Sequence, residues 1–225
     1  LADLFLMETL RVLITAGPTY EPLDPVRFIG NHSTGKMGYA LAETFAAAGA
    51  VVDLISGPTS LPDPASSSIR VQRVQTADEM YAAAAAVAAA ADVWVFAAAV
   101  ADYKPAQVAE NKIKKAGDTL TLELVKNVDI AATLGKTKRP EQFSVGFALE
   151  TNNERAHALE KLQRKNFDLV VLNSLRDPGA GFRHDTNKVT LLGADGAVTT
   201  FELKPKTEVA HDIVRTVLAR LPHHA

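Results

Sequence analysis

Short apolar runs rich in β-branched residues alternate along this chain with stretches whose apolar positions recur every three to four residues, and few folds tolerate that rhythm. Val12–Thr15 closes on Ala16-Gly17-Pro18 and reads as a buried strand stopped by a turn. A long loop, Thr19–Thr34, is expected next. Met37, Ala40, Leu41, Thr44, Phe45 and Ala48 then repeat at helical spacing, with Gly49 as the stop and Ser33 or Thr34 available as the cap. Val51–Ile55 and Asp92–Ala97 read as further strands, and Thr76-Ala77-Asp78-Glu79 opens a helix running through Ala91. Leu120–Val125 alternates, Ser144–Leu149 and Asp168–Leu172 are short apolar strands, and Asn153–Lys165 and Thr207–Leu221 are helical. Val189–Leu192 and Val198–Phe201 flank Asp195-Gly196, a strong hairpin signal. The order predicts an α/β chain: a three-layer Rossmann-like fold with a mainly parallel sheet and an appended antiparallel hairpin. In such sheets ligands collect at the carboxyl ends of the strands.

Composition narrows the partners. At 225 residues, 47% hydrophobic and 22% charged, the chain fits one such domain. A net charge of -2 gives no overall positive field for nucleic acid, so any anionic ligand needs a local group of cations. There is no cysteine, hence no disulfide, thiolate zinc site or enzyme-bound thioester, and a cytoplasmic setting is expected. The longest apolar stretch, Ala82–Ala91, is far shorter than the ~20 residues of a membrane span. Leu1–Leu10 lacks the basic start and cleavage site of a signal peptide. It reads as an interdomain connector, with the functional domain over residues 11–225.

Several segments carry possible chemistry. Gly30–Met37 has the G-x4-G-K spacing of a phosphate loop, but Met37 stands where a hydroxyl should hold magnesium and no strand precedes it. What survives is an anion site at a helix start, from Ser33, Thr34, Gly35 and Lys36, or else a plain helix start. The turn Thr15–Thr19 lacks G-x-G-x-x-G, which removes most support for a nicotinamide oxidoreductase; Gly17 admits a ligand close to the backbone or merely ends the strand. Ala97–Ala101 would leave room for a flat ring, with Asp102 on ribose hydroxyls or a metal-bound phosphate, or as an ordinary loop acid. Lys112-Ile113-Lys114-Lys115 is either a solvated face or a basic loop able to close over a polyanion. Asp129 suits a helix N-terminus or metal–phosphate chemistry, Phe147 a base stack or the core, and Lys161 and Lys165 share one helical face. Of the histidines only His32 lies in a suggestive loop, and none has metal-ligand spacing.

These segments also fall into a known order. TAGPT-x-E-x-LDPVR-x-I-x-N-x-S-x-GKMG (Thr15–Gly38), AAVADY (Ala98–Tyr103), NKIKK (Asn111–Lys115), VKN-x-DI (Val125–Ile130), GFA-x-ETNN (Gly146–Asn153) and KN-x-DL (Lys165–Leu169) closely resemble the bacterial phosphopantothenate–cysteine ligase family. Members are often the C-terminal half of a bifunctional coenzyme A biosynthesis protein whose N-terminal half is a flavin-dependent decarboxylase, so FMN is expected only there. The resemblance implies a magnesium-dependent ligase that joins 4'-phosphopantothenate to L-cysteine with CTP as co-substrate, through an acyl-cytidylate. It implies that Asn31 positions that intermediate and that Lys112, on a flap, is needed to form it. Asp102, Phe147, Lys161 and Lys165 match CTP contacts, Ala98 a backbone reader, and Ser33, Gly35, Lys36 and Met37 the anion-binding helix start. Gly17 and Asp129 complete the expected nucleotide site, and Asp102 and Asp129 are the candidate metal acids. A homodimer is expected, with the appended hairpin contributing. Val128 stands where relatives often carry Pro.

Overall fold

The computed structural model describes residues 9–114, 117–150, 153–174 and 184–221. The expected connector lies outside these except for its last two residues, as do Lys115 of the basic run, two residues of the GFA-x-ETNN block and most of the loop before Asn187.

In chain order the elements are β1 (Arg11–Ala16), β2 (Tyr20–Pro22), β3 (Phe28–Gly30), α1 (Lys36–Ala47), β4 (Val51–Ser56), β5 (Ile69–Arg73), α2 (Ala77–Ala88), β6 (Val93–Phe96), β7 (Tyr103–Pro105) and β8 (Leu124–Lys126). They continue with α3 (Ile130–Gly135), β9 (Phe143–Glu150), α4 (Glu154–Arg164), β10 (Leu169–Ser174), β11 (Thr186–Asn187), β12 (Val189–Gly193), β13 (Val198–Thr200), β14 (Lys204–Pro205) and α5 (Lys206–Leu218). Eight strands form one sheet in the order β13-β12-β10-β9-β6-β1-β4-β5. The six from β10 to β5 run parallel, and β12 and β13 add the antiparallel hairpin at one edge.

Strand alternation assigns the core. Val12, Ile14 and Ala16 of β1, with Val93 and Val95 of β6, point to the face covered by α1 and α5. Leu13, Trp94 and Phe96 point to the other, covered by α2, α3 and α4. Both faces are buried, so the central strands read as continuous apolar runs, as parallel sheets require. The alanines of α2 let that helix lie close to the sheet, and its start is set by a capping box between Thr76 and Glu79.

The structure corrects the sequence reading at four places. Thr19–Thr34 is not an unbroken loop, because β2 and β3 pair within it as a small antiparallel hairpin. Neither Ser33 nor Thr34 caps α1: the cap is Gly35, in the left-handed region at φ 79°, with no side-chain cap bond. Leu120–Val125 shrinks to β8, which pairs with β7 outside the main sheet and is fully exposed, so its alternation reflects no buried face. The edge strand β5 was not anticipated, since only Ile69 of its five residues is buried and a Pro/Ser-rich run precedes it.

Candidate functional site

β1 has β6 on one side and β4 on the other, and the chain leaves β1 toward β4 before returning to β6. The strand order therefore reverses at the carboxyl ends of β1 and β6, which opens a crevice there. Its floor is laced by main-chain bonds: Ala97 N–H donates to Thr15 O (3.0 Å), and Ala99 N–H to Gly17 O (2.8 Å). Ala101 N–H continues the series onto the Oγ1 of buried Thr19 (3.0 Å). Buried Glu21 accepts from Ala77 N–H at the start of α2 (3.0 Å). The TAGPT-x-E block thus works as scaffold, fixing the small-residue strand end and the second helix in one frame.

Over this floor lies a cavity of about 1,210 Å³. It is lined by Asn31, Ser33, Gly35, Lys36, Met37, Ala98, Asp102, Asp129, Phe147, Lys161 and Lys165, residues singled out from the sequence on α1, β9 and α4 and on the loops after β3, β6, β8 and α4. Gly17 and Lys112 do not line it. Gly17 lies beneath, where a Cβ would sit 3.1 Å from Gly57 O. Lys112 is exposed in the loop after β7. A smaller, more open depression of about 540 Å³ beside α2 holds no comparable set of cations.

The cavity has two cationic regions. In one, α1 begins without a side-chain cap and without an acid in its first turn, so its N–H groups and positive dipole end are available to an anion. Lys36 stands there in an ion pair with exposed Asp185 (2.5 Å), and Lys206, at the start of α5, joins it. Lys206 was missed. It is 7% exposed, its Nζ donates to His184 O (2.6 Å), and burial, reinforced by neighbouring Lys36, pushes its pKa down despite Asp185. No local pattern marks such a lysine, because it reaches the site only through the packing of α5 on α1. Asn173 and Asn187, also unanticipated, line the same cavity and bond to each other (3.2 Å).

In the other region Lys165 donates to Asp129 (2.8 Å), with Lys161 and Arg164 on the same helix. Asp129 also caps α3, accepting from Ala132 N–H (3.1 Å). Burial would raise its pKa, but Lys165, the cap and Arg164 outweigh that and hold it below the usual range. On the same cavity lining, the Asn31 amide donates to Val100 O (2.9 Å) and leaves its Oδ1 and second N–H for other partners. The Asp102 carboxylate is exposed on the wall and has no partner among the described residues. Asn127, also missed, fastens the wall to Ala101 O (2.8 Å), while its own buried Oδ1 has no partner among the described residues. Phe147 is half-buried and packs on the α1 side of the core while also lining the cavity.

Such a lining offers two groups of cations to polyanions, with a neutral amide and a carboxylate in the same cavity. If Lys206 contributes charge to the α1 region, Lys206→Met should weaken inorganic pyrophosphate binding about tenfold, as losing one bond to a charged group does. Calorimetric titration checks this; unchanged affinity would reduce Lys206 to a tie for His184.

The DNA/pantothenate metabolism flavoprotein C-terminal domain family matches residues 7–221. The coenzyme A biosynthesis bifunctional proteins CoaBC of Haemophilus influenzae and Escherichia coli are 44% and 48% identical, over 95% and 84% of this chain. The chain spans 52% and 47% of their lengths, about half of each. A relative from an unknown prokaryotic organism, named cysteine/cysteine sulfinic acid decarboxylase, is 50% identical over 92% of this chain and 58% of its own. Among solved structures, the C-terminal domain of CoaBC superposes with a TM-score of 0.79 at 41% identity, covering 95% of this chain and 98% of that one. A Cab2 mutant in complex with phosphopantothenate-cysteine shares the fold, with a TM-score of 0.73 at 20% identity over 94% of this chain and 86% of that one.

Proposed function

The chain belongs to the DNA/pantothenate metabolism flavoprotein C-terminal domain family, and from that premise we propose that it ligates 4'-phosphopantothenate to L-cysteine at the expense of CTP. A carboxylate does not acylate an amine in water without activation. In the first half-step a carboxylate oxygen of phosphopantothenate bonds to the α-phosphorus of CTP, and pyrophosphate leaves with the electron pair. In the second, the free amine of cysteine attacks the acyl carbon, loses a proton, and CMP leaves. The observation that carries this reading is the single cavity shared by Asn31, the uncapped α1 start, Asp102 and the Lys161/Lys165 pair. Both reactants are anions, and two cationic regions joined by a small-residue floor offset their repulsion where charge develops.

Asn31, anchored on Val100 O, orients the acyl-cytidylate through its remaining amide groups. Lys112 is the flap cation of the first half-step. Asp102 fits a magnesium ion best, its carboxylate being without a partner among the described residues, whereas Asp129 is engaged by Lys165 and the α3 cap. Among the described residues no three acids or histidines gather, so the ion's other ligands would be phosphate oxygens. When bound, magnesium neutralises triphosphate charge. The partners are a second copy and, in longer relatives, an N-terminal flavin-dependent decarboxylase domain. For the second copy, exposed Phe28, Tyr103, Leu124 and Val125 on the adjoining β2–β3 and β7–β8 hairpins make a stronger contact face than the appended β12–β13 hairpin, where Val198 is exposed. No helix among the described residues is long and apolar enough to cross a membrane, and the cytoplasm is the proposed setting.

The test is release of pyrophosphate. It should require CTP, magnesium and phosphopantothenate together, with cysteine needed only for the amide product. Activity with ATP alone would move the chain toward the eukaryotic branch of the family. CTP binding with no pyrophosphate released would make it a nucleotide-binding module and overturn the proposal.

A further inference from the structure

An acid reaches the cationic start of α1 from a distant part of the sequence. Helix α1 carries no acid in its own first turn, where one would ordinarily answer the positive end of the dipole. Asp185 takes that place from 149 residues away: its Oδ1 accepts from the ammonium of Lys36 (2.5 Å), the first residue of the helix. The segment carrying the acid is fastened at several points. Asp185 O accepts from Lys206 N–H (2.9 Å) and His184 O from Lys206 Nζ (2.6 Å). Thr186 and Asn187 pair with Pro205 and Lys204, and the buried Asn187 side chain donates to Asn173 Oδ1 (3.2 Å). Lys36 holds the Asp185 carboxyl below its usual range, so the acid is charged at neutral pH.

Stability does not account for this pair. The Asp185 side chain is 83% exposed and that of Lys36 42%, and an exposed ion pair adds little to a fold. Its effect is electrostatic and local. Lys36, Lys206 and the first residues of uncapped α1 line one part of the cavity, and an anion entering there finds Lys36 already engaged by Asp185. The anion must break the pair and then sit beside a like charge. An acid built into the first turn of α1 could not step aside. One carried at the tip of an exposed side chain can, by a change of rotamer.

We infer that Asp185 is an internal counter-ion that holds Lys36 until phosphate groups displace it, so that it lowers their affinity for the α1 region and speeds the departure of pyrophosphate. This rests on the reading of the α1 start as an anion site, and it adds to the proposed ligase a residue that favours product release. Asp185 bonds to neither reactant in this role.

The experiment is calorimetric titration of inorganic pyrophosphate into wild type and into Asp185→Asn, which keeps the size of the side chain and removes its charge. The variant should bind about fivefold more tightly at low salt, the effect of one unit charge at about 4 Å in water. The two proteins should converge as salt rises. Pyrophosphate should also leave the variant about fivefold more slowly in stopped flow, because affinity differences at one site lie mostly in dissociation. Unchanged affinity would make the pair incidental, and weaker binding, with or without magnesium, would make the acid a holder of Lys36 or of a metal ion. Either result overturns the inference and leaves the ligase reading intact. A marked fall in the urea midpoint of Asp185→Asn would make the pair a structural tie and overturn it as well. Wild-type protein that binds no pyrophosphate would remove the anion site, and the inference with it. Failure of the ligase reading shows separately, as no pyrophosphate released from CTP with every reactant present.

Discussion

Asn31→Asp should let the acyl-cytidylate form and then strand it, with amide product falling at least about a hundredfold, the cost of losing one aligned donor at a developing charge. The wild-type amide gives one N–H to Val100 O (2.9 Å) and keeps a donor and an acceptor for the intermediate. A carboxylate can donate to neither. It would face a carbonyl oxygen on one side and the acyl-cytidylate's phosphate on the other, both repulsive in a site built for anions. On the proposed mechanism the first half-step depends mainly on cations other than this amide, so the block should fall on the second. Quenched reactions with labelled CTP, separated by chromatography, would show intermediate rising as product drops. Normal turnover would remove Asn31 from the mechanism, and loss of both species would move its role to the first half-step.

Gly57→Ala should cost about 3 kcal/mol of stability without touching any group that meets substrate, at the upper end of overpacking effects. Gly57 follows β4, and its N–H donates to Ala16 O (2.9 Å). An added Cβ would lie 1.7 Å from Pro18 O, a backbone atom that no rotamer change can move aside. The turn after β1 would have to lift, and that turn underlies Gly35, whose own Cβ position is 3.6 Å from Gly17 Cα. A lower urea midpoint with an unchanged slope is therefore expected, together with weaker pyrophosphate binding as the α1 start is displaced. An unaltered midpoint would show that the turn has slack which the structure does not suggest. Gly17 faces the same turn, its Cβ position 3.1 Å from Gly57 O, so its place in the TAGPT block is beneath the α1 start, which the sequence could not distinguish from touching a ligand.

Local patterning made the central fold legible. The strands β1, β4, β6, β9 and β10 are apolar on both faces, and α1, α2, α4 and α5 carry helical periodicity, so their existence follows from short-range physics. What escaped are elements whose stability comes from elsewhere. β2 and β3 are three residues each, and their hairpin is held by Tyr20 stacked on Phe28 at 3.8 Å and by its packing on β7. β5 borrows its order from β4; α3, signalled only by Asp129 at its N-terminus, is too short to persist without the core beneath Ile130 and Leu134.

The site divides in the same way. Residue types and their order along the chain specified an α/β domain, the helix start at the cavity and most of the side chains that meet there, because those signals are local or belong to contiguous blocks. Only the folded chain decided that Lys206 from the last helix joins the first, that Gly17 lies beneath the cavity, and that Asp185 meets Lys36 from 149 residues away. Those relations arise from the packing of layers and from the closure of long loops. Spacing along the chain carries no record of either, since an ion pair is recognisable only when its distant partner is in place.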